Sequence, residues 1–273
     1  MNDAPQAAPP AEAAPSAAAP EPRPHVTIRG LSKRFGTTVI YDNFDLDIPR
    51  GALVSVFGPN GCGKSTLINT IAGLIPPDAG QVLFDGRKLS AVKFGYVFQN
   101  YREALFPWLR AFDNIAYPLK LMNVPQAERR ARTEALVAHL GIKLDLALYP
   151  YQMSGGQQQL VSILRALVVE PEILFLDEPF SALDYEMTLF MRAQLQRIFM
   201  ETGTTTVLVS HDLEEAVFLA DRVLLLSRHP ARVAAFAPVR VARPRTEATL
   251  SDPIFVQTKA ECLEVFQHEV RRA

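Results

Sequence analysis

The chain has little of what marks secreted, membrane-spanning or nucleic-acid-binding proteins. Its 273 residues include only two cysteines, Cys62 and Cys262, which are too few for a disulfide framework, so we expect a reducing compartment. No apolar run approaches the roughly 18–20 residues of a membrane-spanning helix, and the N-terminus lacks the basic and apolar regions of a secretory signal. With 28 basic against 29 acidic residues, the net charge of −1 argues against nucleic-acid binding through bulk positive charge.

The first 24 residues contain no leucine, isoleucine, valine or aromatic residue. Alanine and proline supply 16 of these 24 positions, which leaves too little apolar surface to bury and too much proline for a helix. We therefore predict a disordered, partly polyproline tail over residues 1–24. A specific docking arm is the alternative interpretation.

Residues from His25 onward have the pattern of a folded domain. Phe44, Leu46 and Ile48 alternate with acidic residues, which is typical of a half-buried antiparallel strand. Farther along, short apolar strands alternate with helices, which indicates a parallel sheet covered on both faces. The sequence therefore predicts an α/β fold with a mainly parallel core sheet, an N-terminal antiparallel β subdomain and an inserted helical subdomain. The predicted boundaries are 25–250 for the domain, about 100–165 for the helical subdomain and 251–273 for a C-terminal helical extension.

One eight-residue segment carries a strong functional signal. Residues 58–65 fit the pattern G-x-x-x-x-G-K-[ST] between a predicted strand, 53–57, and a predicted helix, 63–74. Glycines let backbone N–H groups approach phosphate oxygens, Lys64 neutralises the outer phosphates, and the Ser65 hydroxyl can ligate Mg²⁺. Kinases, GTPases and motor ATPases fit this phosphate loop equally well. The candidate nucleotide-binding residues are Gly58, Pro59, Asn60, Gly61, Cys62, Gly63, Lys64, Ser65 and Thr66.

A second motif limits the reactions that the phosphate loop can serve. The apolar residues 173–176 lead into Asp177 and Glu178, so two carboxylates follow a buried strand. The carboxyl ends of parallel strands face the nucleotide crevice in folds of this kind. Asp177 can then hold Mg²⁺ directly or through water, and Glu178 can polarise the water that attacks the outer phosphate. Adjacent buried acids without such a role would be costly.

The segment between these two motifs indicates a protein family. Residues 153–159, Met-Ser-Gly-Gly-Gln-Gln-Gln, offer an N-cap serine and open backbone amides for an anion. Together with the phosphate loop and the two acids, they resemble the ATP-binding subunit of an ABC transporter over about residues 25–250. The residues that correspond to the family's signature motif are Ser154, Gly155, Gly156 and Gln157.

The resemblance implies roles for further residues. Gln99 lies where the family has its Q-loop glutamine, and His211 ends a strand like the family's switch histidine. Ser181 and Asp184 resemble the D-loop. Phe35 lies where the family stacks an aromatic ring on adenine, although a plain core role remains the alternative.

The chain departs from the family pattern beside the signature. Leu160 replaces the usual arginine, so a contact made by that arginine is not expected here, and Met153 replaces the usual leucine. By the resemblance, the catalytic residues are Glu178 and His211. The implied metal-site residues are Ser65, Gln99 and Asp177.

The resemblance also implies cofactors and partners. We expect ATP and Mg²⁺ as cofactors and a second ATPase subunit, in a homodimer, as a partner. ATP would lie between one subunit's phosphate loop and the other's signature residues. Closing and opening of this pair would drive two transmembrane permease subunits fed by a periplasmic or extracellular solute-binding protein. The ATPase would be a peripheral protein at the cytoplasmic face of the inner membrane, with no nucleic-acid partner.

Two segments suggest a branch of the family. Residues 98–108 and 227–233 resemble importers of nitrate, sulfonates and taurine, as does the run 243–245. An ATPase subunit does not touch the solute, so the solute stays open. The alternatives are an exporter ATPase, a soluble ABC ATPase that acts on nucleic acid or ribosomes, and a non-hydrolysing binding module. Soluble ABC ATPases typically carry long insertions or two cassettes, and a non-hydrolysing module would lack Glu178 or His211.

Two surface predictions remain open at this stage. The aromatic segment 101–108 either lines a groove for a permease helix or packs Trp108 into the core of the helical subdomain. Residues 228–246 carry five arginines and no acid, which predicts a solvated charged surface or, alternatively, a docking patch.

Overall fold

The chain folds as two sheets with helices packed around them. The computed structural model describes residues 23–181 and 183–271. The predicted tail therefore lies outside the described residues, except for Arg23 and for Pro24, where the first strand begins. The strands are β1 (Pro24–Phe35), β2 (Thr38–Pro49), β3 (Leu53–Phe57), β4 (Ala79–Phe84), β5 (Phe94–Val97), β6 (Ile173–Asp177), β7 (Thr205–Val209), β8 (Arg222–Leu226) and β9 (Val233–Pro238).

The helices fall between and after these strands. They are α1 (Lys64–Ile71), α2 (Tyr101–Ala104), α3 (Ala111–Leu121), α4 (Gln126–His139), α5 (Gly155–Leu167), α6 (Tyr185–Thr202), α7 (Leu213–Leu219) and α8 (Pro253–Arg271). None of the helices within the described residues combines the length and hydrophobicity that crossing a bilayer requires.

The first sheet is the predicted antiparallel subdomain, with strand order β2-β1-β4. In β2 the predicted alternation is observed, because Phe44, Leu46 and Ile48 are buried while Asp45 and Asp47 are exposed. One face of this sheet therefore lies on the core and the other faces water.

The second sheet has the order β5-β6-β7-β3-β8-β9. Strands β5 to β8 run parallel, whereas β9, which the sequence did not predict, pairs antiparallel with β8. Along β3, Val54 and Val56 pack with the antiparallel subdomain, while Leu53 and Phe57 pack with the helices on the other face. The prediction of a mainly parallel sheet covered on both faces is thus confirmed.

The helical section between β5 and β6 contains α2, α3, α4 and α5. Helix α5 lies directly on β5, because a Cβ atom added to Gly95 would be 2.5 Å from the carbonyl oxygen of Ala166. Glycine is thus the residue that permits this close approach. The same helix carries the signature residues at its N-terminus, so α5 connects the helical section to the core sheet.

One predicted helix ends early. The sequence predicted a helix over 63–74, but α1 ends at Ile71. Gly73 has φ of 69°, the left-handed conformation that commonly terminates a helix. As a result Leu74, which lies within the predicted helix, is 49% exposed.

A polar junction joins the two sheets where β1 and β7 begin. The fully buried His25 of β1 lies with its Nδ1 atom 2.6 Å from Thr205 Oγ1 of β7, and burial lowers its pKa to about 4. His25, Asp85 and Glu172 are close enough to share a metal ion. However, Arg87 already pairs with both carboxylates, at 3.6 Å and 2.5 Å. We therefore interpret this cluster as an ion-pair junction.

The arginine-rich segment is only partly a solvated surface. Arg245 is 4% exposed, and its guanidinium donates to the carbonyl oxygens of Val217, Phe218 and Ala220 at the end of α7. Arg243 pairs with Asp221 at 2.9 Å. The solvated-surface prediction was wrong for these two arginines, because the free carbonyl groups of a helix C-terminus attract buried cations.

Candidate functional site

The phosphate loop connects β3 to α1. Gly61 and Gly63 adopt φ of 76° and 108°, which few other residues tolerate. A Cβ atom on Gly63 would also lie 2.7 Å from Ile40 Cγ2. The loop therefore delivers its backbone, rather than side chains, to the N-terminus of α1, where free N–H groups favour an anion.

Lys64 lies inside this loop. Its side chain is 7% exposed, and Nζ donates to the carbonyl oxygens of Gly58 at 2.9 Å and Pro59 at 3.1 Å. A buried ammonium group held by neutral acceptors alone is well placed to accept phosphate oxygens instead, since charge-assisted hydrogen bonds are stronger.

The acid that follows β6 lies beside the loop. Asp177 Oδ1 is 3.4 Å from Ser65 Oγ, and Oδ2 is 3.5 Å from the Tyr96 hydroxyl. Burial, and next the charge of Glu178, raise the pKa of Asp177 to about 6 despite these hydrogen bonds and the charge of Lys64. Asp177 has no ion-pair partner within 23–181 and 183–271, so Asp177 and Ser65 together fit a Mg²⁺ ion, which prefers oxygen ligands.

Glu178 lies at the meeting point of two loops. Its Oε2 atom accepts a 2.8 Å hydrogen bond from Gln99 Nε2 and lies 3.4 Å from His211 Nδ1. Gln99 follows β5 and His211 follows β7, so the carboxyl ends of three parallel strands bring these side chains together. The carboxylate of Glu178 is thus held by two polar groups next to the phosphate loop.

The signature residues begin α5. Ser154 Oγ accepts from the backbone N–H of Gln157 at 3.3 Å, and Gln157 Oε1 accepts from the N–H of Ser154 at 3.0 Å, which forms a capping box. Gly156 is buried against Met187 of α6. Ser154 is exposed, so its hydroxyl lies at the protein surface.

The other predicted site residues lie in the D-loop, at the end of β1 and in the phosphate loop itself. Ser181 Oγ donates to the carbonyl oxygen of Glu178 at 3.1 Å, and Asp184 caps α6 through the N–H of Met187. Phe35 is 49% exposed at the end of β1, which excludes the core alternative, and the ammonium group of Lys33 lies 5.4 Å from the centre of its ring. In the loop, Asn60 and Gly61 are exposed and Pro59 and Cys62 are buried, while Thr66 is half-buried in the first turn of α1.

The structure therefore assembles part of the predicted site. It brings together the phosphate loop, Asp177, Glu178, Gln99 and His211. Within residues 23–181 and 183–271, no hydrogen bond joins the signature residues or Phe35 to the phosphate loop.

Sequence reasoning missed three supporting residues. Tyr96 donates to Asn69 at 2.6 Å and approaches Asp177. Tyr41 is fully buried, and its hydroxyl donates to the Gly63 carbonyl at 2.8 Å. Gln159 is fully buried and donates to the Pro179 carbonyl at 2.7 Å. No local pattern marks these contacts, because their partners lie 20 to 81 positions away along the chain.

The fold and the loop together define a P-loop nucleotide-binding domain. A family model described as ABC transporter matches residues 41–181, which is just over half of the chain. The chain belongs to the ABC transporter family.

Curated relatives agree with this assignment. The sulfate/thiosulfate import ATP-binding protein CysA of Mycolicibacterium paratuberculosis is 43% identical over 208 residues, which are 74% of this chain and 57% of the relative. The protein of the same name from Neisseria meningitidis is 42% identical over 213 residues, 74% of this chain and 58% of the relative. The chain thus spans less than three fifths of the length of these relatives.

Solved structures share the fold. The structure entitled a dimeric structure of MJ0796, a bacterial ABC transporter cassette, has a TM-score of 0.68 and 31% identity, and covers 80% of this chain and 100% of MJ0796. A post-hydrolysis dimer of the same cassette, bound to ADP and Pi, is 32% identical with a TM-score of 0.68, and covers 80% of this chain and 100% of that one.

Proposed function

We propose that this chain hydrolyses ATP as one of two ATPase subunits that power an ABC importer. The observation that carries the proposal is the position of the Glu178 carboxylate, which lies between Gln99 and His211 beside the phosphate loop. A non-hydrolysing binding module would not need a carboxylate held in this way.

Each residue of the site has a role in this chemistry. Lys64 and the N-terminus of α1 bind the outer phosphates, and Ser65, Gln99 and Asp177 would hold the metal. When bound, Mg²⁺ supplies charge neutralisation between the phosphates. Glu178 accepts the proton of the attacking water, and Gln99 and His211 orient that carboxylate and contact the γ-phosphate. Phe35 stacks on the adenine ring.

The proposal includes a site shared between two subunits. Ser154 is exposed and has no bond to the phosphate loop of its own chain, which supports a role against ATP held by a second subunit. The similar structures of MJ0796, which are described as dimeric, also support it. ATP binding would then join two chains and hydrolysis would release them.

Mixing two inactive variants tests the shared site. Lys64→Ala removes the buried cation and Gly155→Asp places an acid at the signature, so each variant alone should lose roughly 100-fold or more of the activity. A mixed dimer contains one intact site and one doubly broken site, so an equal mixture should recover about a quarter of wild-type ATP turnover. No recovery despite proven mixed dimers would argue against sharing.

An exposed aromatic surface supports a permease partner. Trp108 is 70% exposed, and its ring lies 5.6 Å from that of Phe106, so the alternative that Trp108 packs in the core is wrong. Asn114 is fully buried and bonds the backbone of Phe106, Leu109 and Arg110, which fixes this loop. A rigid loop that exposes a large aromatic ring is typical of an interface anchor.

Trp108→Ala tests this surface. We expect capture of the co-expressed permease to fall at least about tenfold, because aromatic anchors dominate interface energies, while ATP affinity stays native. Met200→Ala is the control, since Met200 is 49% exposed on α6, in the core domain. Native capture by Trp108→Ala would remove this surface from the interface.

The solute is proposed only as a class. The curated relatives are named for sulfate and thiosulfate, which does not specifically support the predicted nitrate, sulfonate and taurine branch. Most of these solutes are small oxyanions, so we propose a small oxyanion importer. The chain would then lie at the cytoplasmic face of the membrane, with permease subunits and a solute-binding protein as partners. An exporter would fit the same ATPase site, but both named relatives are import proteins.

A further inference from the structure

The backbone of Glu178 is held in an unfavourable conformation. Its φ is 46°, in the left-handed region that non-glycine residues rarely adopt. The following residue is Pro179, and a residue before proline normally prefers an extended conformation. Such strain persists only where the surroundings enforce it. The direction of the Glu178 side chain therefore depends on whatever holds residues 178 and 179.

Three residues hold this backbone. The N–H of Glu178 donates to the Val209 carbonyl at 3.0 Å, and the Glu178 carbonyl accepts from Ser181. The Pro179 carbonyl accepts a 2.7 Å hydrogen bond from Gln159 Nε2. Val209 is in the neighbouring strand and Ser181 in the same loop, whereas Gln159 is the contact from the helical section.

The surroundings of Gln159 indicate that this hydrogen bond is the main polar contribution of its side chain. The side chain is fully buried, and its Oε1 atom has no hydrogen-bond partner within residues 23–181 and 183–271. An unpaired buried oxygen is costly, so an apolar side chain of equal size would pack at least as well. The amide cannot rotate to exchange its ends, since Oε1 would then face the Pro179 carbonyl oxygen.

Helix α5 connects this bond to the signature. Gln159 lies five positions after Ser154 on one rigid helix, and the same helix packs directly on β5, which leads to Gln99. A movement of α5 would therefore reach Pro179, and through it Glu178.

We propose that Gln159 is a positioning residue, whose bond to Pro179 couples the place of α5 and its signature residues to the orientation of Glu178. This inference rests on the proposed ATPase function. It predicts that loss of the bond slows hydrolysis without weakening ATP binding.

The test compares Gln159→Met with the wild type. Methionine keeps the length of the side chain and removes only the amide. We expect kcat to fall roughly 10- to 100-fold, because small misplacements of a reacting group have effects of this size, while ATP affinity and the melting temperature stay close to native. Ser162→Ala is the control, since Ser162 is buried about one turn along α5 and its hydroxyl has no hydrogen-bond partner within residues 23–181 and 183–271; it should hydrolyse ATP normally. Should Gln159→Met fail to fold, Gln159→Leu, which also removes the amide and stays apolar, carries the same prediction.

The decisive comparison adds Gln159→Met to Glu178→Gln. If Gln159 acts through Glu178, the double variant should hydrolyse ATP at the rate of Glu178→Gln alone, since coupled effects do not multiply. A further drop in the double variant, a native kcat for Gln159→Met, or a change in ATP affinity alone would overturn the inference. If Lys64→Ala hydrolysed ATP as fast as the wild type, the proposed function would be wrong, and this inference with it.

Discussion

Asp177 and Glu178 are adjacent residues in different surroundings. Asp177 ends β6 and is 6% exposed, and its carboxylate contacts two hydroxyl groups. Glu178 begins the following loop and receives the Gln99 amide. The first carboxylate is therefore suited to a metal ion that compensates its burial, and the second to the proton of a water molecule.

Removing the Asp177 charge should stabilise the protein and end its function. The folded state raises the pKa of Asp177 from 3.8 to about 6, so the stability that this group contributes is present below pH 4 and is lost as the pH rises through 6. Asp177→Asn does not titrate, so at pH 7.5, without nucleotide or metal, it should be more stable by about 2–3 kcal/mol. Denaturant unfolding at pH 7.5 and pH 4 measures this.

The same variant should lose metal-dependent ATP binding. Ser65→Ala is the comparison, because it also weakens the metal site but leaves the buried carboxylate in place. If Asp177→Asn and the wild type were equally stable at pH 7.5, the buried charge of Asp177 would not destabilise the folded protein.

At the scale of secondary-structure elements, the buried side chain of Arg245 caps the C-terminal end of α7. This short helix follows His211, and its last carbonyl groups point at the guanidinium of Arg245. Burial lowers the pKa of Arg245 to about 10, so it stays charged at neutral pH. The arginine thus satisfies acceptors that the helix cannot satisfy itself.

Arg245→Met should leave those carbonyl groups unpaired in the core. We expect a loss of about 2–4 kcal/mol in the free energy of unfolding, measured by urea denaturation. Arg240→Met is the control from the same segment, because Arg240 is exposed, and it should change stability by less than about 0.5 kcal/mol. If Arg245→Met also changed stability by so little, the Arg245 side chain would behave as a solvated surface group.

These elements show what the sequence could predict. The phosphate loop and the two acids were predictable because local spacing and strand direction fix their chemistry. The antiparallel subdomain followed from the alternation around Phe44. The contacts of Arg245, Tyr96 and Gln159 were not predictable, because each depends on which backbone carbonyl or carboxylate a distant segment brings close. Strand β9 was missed because three of its six residues, 233–238, are alanine and none of the six is fully buried.

At the scale of the whole molecule, the proposed function needs residues that one chain does not bring together. The parallel sheet gathers the phosphate loop, Asp177, Glu178 and His211 at one edge, while the signature residues begin a helix of the helical section. We therefore propose that the complete site forms between two chains, with ATP as the group that joins them.

The size of the Glu178→Gln protein in ATP tests this account most directly. The variant keeps the shape of Glu178 and the contact with Gln99, but it lacks the carboxylate that accepts a proton. We predict that it binds ATP, hydrolyses it at least roughly 100-fold more slowly than the wild type, and elutes as a dimer in ATP and as a monomer in ADP when measured by light scattering. Hydrolysis at the native rate, or a monomer with ATP bound, would contradict the account.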